Sequence, residues 1–116
     1  MSLNQSLVNF QQRANANARV QRIATGWSQK LVVECCDTDQ RFCIEIRDGR
    51  MSDVQAKPLA TNDDCLLIRG QEDLLTKIFN GAHHPLTAYN DGELEVYGEQ
   101  RDQVKLDAIS LVMWGA

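Results

Sequence analysis

Long hydrophobic runs are missing from this chain of 116 residues. No window approaches the roughly 20 consecutive apolar residues with which a helix crosses a bilayer. The first twelve residues also lack the uninterrupted apolar stretch of a secretory signal peptide. We therefore expect no membrane-spanning segment, and a protein that works in the cytoplasm.

Cysteine is sparse, with four residues, and no two of them form a C-x-x-C pair. In a chain without an export signal, this pattern favours thiols over a disulfide framework. All of them fall within strand-like runs, where cysteine packs as a small hydrophobic residue. They are Cys35, Cys36, Cys43 and Cys65. We expect a structural role for them.

Side chains suited to catalysis or metal binding are equally scarce. His83 and His84 are the only histidines, and adjacent side chains diverge on a helix or a strand, so this pair is poorly placed to hold one metal ion. The sequence has no glycine-rich phosphate loop and no G-x-S-x-G motif. We therefore predict no enzyme, no catalytic residue, no metal site and no cofactor. The histidines are expected to serve the turn and cap before Pro85.

Acidic residues are absent from the first 33 positions, although the whole chain carries a net charge of −4. That segment holds four basic residues, whereas the remainder holds eight basic and sixteen acidic ones. Either the basic segment packs near an acidic body, or it contacts anionic lipid headgroups transiently. The four residues that would make such a contact are Arg13, Arg19, Arg22 and Lys30. A nucleic-acid partner is not expected from so acidic a chain.

Periodicity and turn residues define the predicted elements. Phe42, Ile44 and Ile46 alternate with polar or small residues, which indicates a half-buried strand, and Asp48-Gly49 follows as a hairpin signal. The prediction in chain order is a helix over 3–24, strands over 31–36, 41–47 and 51–57, a turn-rich segment over 60–64, a strand over 65–69, helices over 71–80 and 85–90, a strand over 93–97 and a helix over 101–114. The first three strands are expected to form an antiparallel meander.

The last of these helices is apolar on two sides. Each residue turns the helix by about 100°. Around the helix axis, one group of apolar residues clusters near Ala108, and a second group lies roughly 100 to 160° away from it. The first group is Val104, Ala108, Leu111 and Val112, and the second is Leu106, Ile109 and Met113. An ordinary surface helix has a single apolar stripe. The second group therefore needs more core, another protein surface, a membrane or an apolar ligand.

We assign the first group to the core and the second to a binding surface. On this interpretation, Leu111→Asp unfolds the protein by burying an unpaired charge, whereas Met113→Asp mainly abolishes binding. Equal destabilisation by both changes would mean that the second group is also core.

Two runs carry a family resemblance: D-C-L-L-I-R-G-Q-E-D-L-L-T-K-I-F-N-G over 64–81 and P-L-T-A-Y-N-D-G-E-L-E-V-Y-G over 85–98. Their order and spacing resemble the sterol carrier protein (type two) family. The upstream run F-C-I-E-I-R-D-G over 42–49 and the final helix also occur in matching order. The chain departs from the family at Gly70-Gln71, and at Glu93 and Glu95, where members often carry Ser or Thr and Lys respectively. These departures concern which ligand headgroup or which partner the protein recognises, rather than its fold.

The resemblance implies an α+β fold, with residues 1–116 forming one domain. It implies a five-stranded mixed β-sheet with helices mainly covering one face, and an apolar tunnel between sheet and helices. The candidate lipid-binding residues are Phe42, Ile44, Leu75, Ile78, Phe79, Leu86, Tyr89, Leu106, Ile109, Met113 and Trp114. For each of them, ordinary core packing is the alternative.

The second apolar side of the last helix and the family resemblance together suggest three functions. The first is non-catalytic binding and transfer of a lipid or another long apolar molecule, such as a fatty acyl, sterol-like or prenyl chain. The second is an interaction module whose apolar face docks a partner or a second copy of the chain as a homodimer. The third is an accessory factor that presents prenylated intermediates to the enzymes of lipid-quinone biosynthesis.

Overall fold

The computed structural model of the protein describes residues 2–56 and 64–115. The helices in this part of the chain are α1 (Leu3–Ala16), α2 (Ala18–Ala24), α3 (Glu72–Phe79), α4 (Pro85–Asn90) and α5 (Gln100–Trp114). The strands are β1 (Gln29–Cys35), β2 (Arg41–Arg47), β3 (Arg50–Met51), β4 (Gln55–Ala56), β5 (Leu66–Gly70) and β6 (Glu95–Tyr97). The predicted order of helices and strands is confirmed, with two local differences.

The predicted first helix is interrupted at Asn17. This residue has an extended conformation, with φ −91° and ψ 114°, and it separates α1 from α2. Its side-chain oxygen accepts hydrogen bonds from the amides of Arg19 (2.9 Å) and Val20 (3.1 Å). Asparagine is a favoured N-cap because it satisfies amides that have no partner within the helix, so it starts a second helix rather than continuing the first.

The sheet is mixed, with strand order β3-β2-β1-β5-β6. β1 and β2 are antiparallel, β1 and β5 are parallel, and β5 and β6 are antiparallel. The predicted third strand is divided into β3 and β4, which both pair with β2. The sheet in the described residues therefore has six strands rather than the predicted five. Residue 57, the predicted end of that strand, lies outside the described residues, as does most of the predicted turn over 60–64.

The predicted hairpin turn at Asp48-Gly49 is confirmed. Both residues have positive φ, 48° and 83°, which is the backbone of the tight turns that match strand twist. A Cβ on Gly49 would lie 2.7 Å from the carbonyl oxygen of Ala24. Glycine is therefore needed both for the turn and for its close approach to the end of α2.

One face of the sheet is covered by helices and forms the core. Leu31, Val33 and Cys35 lie at alternate positions on β1 and are buried in the core, as are Leu66 and Ile68 on β5. Side chains from α1, α3 and α5 belong to the same apolar cluster. The α+β class and the one-sided helical layer are thus as predicted.

The opposite face of the sheet carries a row of paired charges. Glu34 on β1 accepts from Arg41 on β2 and from Arg69 on β5 (3.0 Å), and Arg69 continues to Glu95 on β6 (3.2 Å). The Tyr97 hydroxyl also donates to Glu95, which lowers the pKa of that carboxyl and raises the pKa of Tyr97. The sheet is therefore amphipathic, with its apolar side reserved for the helices.

Helix α5 is fixed to the sheet by a buried carboxylate. Asp102 is only 3% exposed and accepts hydrogen bonds from the Trp27 indole (2.9 Å) and the Gln29 amide (3.0 Å). Lys105 donates to the carbonyl oxygen of Ile23 on α2 (2.7 Å). These contacts set both the position and the rotation of α5. None of the helices in residues 2–56 and 64–115 is long and apolar enough to cross a membrane.

Candidate functional site

A cavity of about 390 Å³ lies between the helix-covered face of the sheet and helices α4 and α5. Its volume falls in the range of small-molecule sites, which are generally concave and mostly apolar. The sheet contributes Leu31, Ile68 and Val96, and Leu94 lies just before β6. Leu94 is held there because its amide and that of Glu93 donate to the carbonyl oxygen of Ala88, which also explains why β6 starts later than predicted.

Three aromatic rings close one side of the cavity. Phe10 stacks on Trp114 with ring centroids 5.4 Å apart, and Phe79 meets both of them edge to face at 5.2 and 6.0 Å. The Trp114 indole donates to the carbonyl oxygen of Ile78 (2.7 Å). Helices α1, α3 and α5 thus each supply one ring, and the cluster forms a rigid apolar wall.

His84 ties α4 to the end of α5 beside the cavity. Its Nδ1 accepts from the Leu86 amide (3.1 Å) as the N-cap of α4, and its Nε2 lies 2.7 Å from the carbonyl oxygen of Gly115. Because Nδ1 accepts, the ring hydrogen must be on Nε2, which donates to Gly115. The predicted capping role of His84 is confirmed, and this residue also lines the cavity.

The opening of the cavity combines exposed apolar side chains with a polar rim. Leu86 and Tyr89 on α4 and Leu111 on α5 line the cavity although each is at least half exposed. The polar lining residues beside His84 are Asn90, Gln103, Asp107 and Ser110. An apolar interior with a wet, polar opening suits a ligand with a long apolar part and a small polar end.

Six of the residues predicted from the sequence line this cavity. They are Ile78, Phe79, Leu86, Tyr89, Leu106 and Trp114. Three others, Ile44, Leu75 and Ile109, are fully buried in the core, and the last two, Phe42 and Met113, are partly buried and pack against that core. The sequence pattern therefore selects apolar positions well, but it does not separate cavity wall from core.

The assignment of the two faces of α5 is wrong for Val104, Leu111 and Ile109. Val112 packs against the core and Leu106 lines the cavity, as predicted. Leu111 and Val104, predicted to face the core, are 55% and 57% exposed, whereas Ile109, predicted to face a ligand, is 0% exposed. The core-facing stripe is Asp102, Leu106, Ile109 and Met113, and it begins with a buried charged residue. The sequence pattern identified Leu106, Ile109 and Met113 as one group but assigned them to a binding surface, because it did not include Asp102 as a buried residue.

Other lining residues were missed by the sequence analysis. Phe10 on α1 lines the cavity but was not among the residues predicted for the site. Gln103, Asp107 and Ser110 recur at helical spacing with Leu106 and Trp114, so one face of α5 alternates polar and apolar side chains along the cavity. That spacing was the available signal, but polar residues on a surface helix are ordinarily solvated.

The basic residues of the first segment differ in their surroundings. The Arg13 guanidinium donates to the carbonyl oxygen of Phe79 at the end of α3 (3.2 Å), a favourable position for a cation. Arg19 and Arg22 on α2 and Lys30 on β1 are exposed. Within the described residues, no group of three or more His, Cys, Asp or Glu side chains could hold a metal ion.

Neither a protein-family model nor a curated protein matches the sequence. Solved structures do match. The crystal structure of sterol carrier protein 2 aligns with a TM-score of 0.68 at 13% identity, covering 98% of this chain and 95% of the other. The chain adopts an SCP2-like fold. The predicted resemblance is confirmed at this level.

Further proteins share the SCP2-like fold. Palmitated SCP2L2 from Aedes aegypti aligns with a TM-score of 0.65 at 15% identity, covering 95% of both chains. The UbiJ-SCP2 ubiquinone synthesis protein aligns with a TM-score of 0.61 at 21% identity, covering 95% of this chain and 90% of the other. At these identities the similarity is one of fold.

The same fold also occurs as a part of a larger enzyme. The sec-alkylsulfatase Pisa1 from Pseudomonas sp. aligns with a TM-score of 0.58 at 19% identity, and the match covers 82% of this chain. The chain spans only 14% of the length of that enzyme. An SCP2-like fold thus occurs both as nearly a whole chain and as one portion of a longer one.

Proposed function

We propose that this protein binds one molecule with a long apolar chain in the cavity between sheet, α4 and α5, and carries it without chemical change. The observation that carries the proposal is the cavity itself, which has apolar strand residues on one side, an aromatic wall on another and a polar rim at its opening. Sterol carrier protein 2 and palmitated SCP2L2 of Aedes aegypti, which share the fold, support a lipid as the ligand.

The physical basis of binding is burial of apolar surface. Each ligand methylene that leaves water contributes about 0.8 kcal/mol, so affinity should rise with chain length until the cavity is filled. The wall residues in this account are Ile78, Phe79, Leu86, Tyr89, Leu106 and Trp114, with Phe42, Ile44, Leu75, Ile109 and Met113 as the packing behind them. The proposal includes the tunnel between sheet and helices that the family resemblance implies, as a continuation of the cavity.

Delivery would take place in the cytoplasm and at membrane surfaces. There, the basic residues of the first segment, Arg13, Arg19, Arg22 and Lys30, would contact anionic lipid headgroups. All four residues are exposed, and the Arg13 guanidinium already donates to the carbonyl oxygen of Phe79.

The test is a pair of variants on α5. Leu106→Trp enlarges a cavity-lining side chain and should reduce binding of the neutral fluorophore diphenylhexatriene at least about tenfold, because the added ring occupies the ligand volume. Val104→Trp makes the same change at an exposed position outside the cavity lining, and should leave binding unchanged. Equal binding by the wild type and both variants, with the fold retained by circular dichroism, would refute the proposed site.

A second candidate is an accessory role in lipid-quinone biosynthesis. The observation that favours it is the cluster of exposed apolar side chains at the opening, Leu86, Tyr89 and Leu111, where an enzyme or a second copy could dock. The shared fold of the UbiJ-SCP2 ubiquinone synthesis protein supports it. Mass spectrometry of co-purified lipid tests for a prenylated aromatic, and sedimentation equilibrium tests for a homodimer. A monomer that carries only other lipids would argue against this role.

A further inference from the structure

The polar rim of the cavity contains an acid and amide or hydroxyl groups, but the described part of the chain contributes no Lys or Arg to the lining. Asp107 is exposed on α5 at the opening. One turn away on the same helix, Gln103 and Ser110 also line the cavity. The polar end of a ligand held in this cavity would therefore meet a negative potential.

Three of the rim groups already donate hydrogen bonds within the protein. The Gln103 side-chain amide donates to the carbonyl oxygen of Gly98 (2.9 Å), and the Ser110 hydroxyl donates to that of Leu106 (2.8 Å). His84 donates from Nε2 to Gly115. The oxygen of Gln103 and the lone pairs of Ser110 can still accept, and a carboxylate such as Asp107 is an acceptor only. Neutral donors remain at the Asn90 and Gln103 amides and the Tyr89 hydroxyl. Among the described lining residues, however, Asp107 is the only acidic side chain, and no Lys or Arg offers a cationic donor.

A rim with one carboxylate and no Lys or Arg complements a ligand whose polar end is uncharged and donates a hydrogen bond. A hydroxyl can donate to Asp107 or Gln103, whereas a carboxylate or phosphate can only accept and would in addition be repelled by Asp107. We propose that this cavity selects apolar chains that end in an uncharged hydroxyl, such as long-chain alcohols or phenols, over chains that end in an anion. This inference rests on the proposed function and specifies the ligand class for the same site.

The test compares two ligands with the same chain and different ends. Dodecanol and dodecanoate each displace diphenylhexatriene from the wild-type protein at pH 8, where dodecanoate is ionised. The expected half-displacing concentration is about tenfold lower for dodecanol, the ratio that one charge-assisted hydrogen bond would produce. A ratio of one, or tighter binding of dodecanoate, would overturn the inference.

Variants separate the effect of the rim from the greater apolarity of the alcohol. Asp107→Asn should reduce the preference for dodecanol at least about threefold, and Asp107→Lys should abolish or reverse it, because a cation attracts the carboxylate. Asp91→Asn removes an equal charge at the end of α4, outside the cavity lining, and should keep the wild-type ratio. The same ratio in wild type and both Asp107 variants would contradict a role for the rim.

The outcomes also distinguish this inference from the proposed function. If diphenylhexatriene binds and Leu106→Trp abolishes its binding, but the two ligands compete equally, the cavity binds apolar chains without selecting their polar end. If diphenylhexatriene does not bind the wild-type protein at all, the proposed function fails, and the selectivity fails with it.

Discussion

Asp102 is the residue on which the placement of α5 depends. A buried carboxylate is costly unless hydrogen bonds compensate its lost hydration, and here the Trp27 indole and the Gln29 amide supply them. The residue also lies in the first turn of α5, where the helix dipole favours a negative charge. Its hydrogen bonds to Trp27 and to Gln29 on β1 fix which side of α5 faces the sheet.

Removing this carboxylate should therefore destabilise the fold. We expect Asp102→Ala to lower the free energy of unfolding by about 2 to 3 kcal/mol, because the buried Trp27 indole and the half-buried Gln29 amide lose a charged acceptor. Urea denaturation followed by circular dichroism measures the change. The matched control is Asp107→Ala on the exposed side of the same helix, for which we expect a change within about 0.5 kcal/mol. Similar values for the two variants would show that the buried network contributes little.

Cys35 and Cys36 are neighbours in sequence with opposite surroundings. Cys35 is buried and Cys36 is exposed, because adjacent residues at the end of a strand point to opposite faces. Burial raises the pKa of the Cys35 thiol above its ordinary value of 9.0. Since the thiolate is the reactive form, Cys35 should be inert in the folded protein near neutral pH.

Iodoacetamide at pH 8 should accordingly modify Cys36 in the folded protein and leave Cys35 unmodified until urea unfolds the chain. Peptide mass spectrometry measures the two sites separately. Stability should also fall as the pH rises above 9, since the unfolded chain ionises this thiol before the folded state does. Equal modification of both cysteines in the native state would contradict the buried position of Cys35.

At the scale of elements, α5 presents three distinct sides. Ile109 lies in the core, Leu106 and Trp114 line the cavity, and Val104 is exposed beyond it. Leu111 is exposed too, but it lies at the cavity opening. The helix is therefore at once a core element and a cavity wall, which explains why its sequence is apolar on more than one side.

A substitution on the core side of α5 should reduce stability, whereas one at the cavity opening should reduce binding. Ile109→Ala should cost about 2 to 5 kcal/mol of stability, because it leaves a void in a closely packed core. Leu111→Asp should change stability by less than about 0.5 kcal/mol, since the side chain is exposed, and it should weaken binding of diphenylhexatriene at the opening. Thermal denaturation and fluorescence titration measure the two effects. If Leu111→Asp unfolded the protein, Leu111 would have to face the core, as the sequence pattern predicted.

Met113→Asp should now resemble a core substitution. The Met113 side chain is partly buried and packs against the apolar cluster, so a charge there loses hydration as well as packing. The earlier expectation of an effect mainly on binding therefore changes to an expectation of lower stability.

Most of these elements could be predicted because their signals are local. The Asp48-Gly49 turn, the alternation over β2 and the proline that begins α4 each determine the backbone through their own residues. The break at Asn17 was missed because a single capping side chain outweighs a continuing apolar stripe. The rotation of α5 was missed because it depends on Trp27 and Gln29, which lie about 75 residues away in sequence.

At the scale of the whole molecule, the cavity follows from a sheet with helices on one face only. The charge row of Arg41, Glu34, Arg69 and Glu95 lies across the other face, whereas the main apolar cluster lies on the helical side. The sequence could indicate which residues are apolar, and the family resemblance could indicate a tunnel. It could not indicate where packing between sheet, α4 and α5 leaves space, because that depends on contacts among distant elements.

The central claim is that this space holds an apolar molecule, and the most direct measurement is native mass spectrometry of freshly purified protein. We predict a one-to-one complex with a molecule of long apolar chain in the wild type and in Val104→Trp, and its loss in Leu106→Trp. A wild-type spectrum of the bare chain alone, together with failure to bind diphenylhexatriene, would contradict the account.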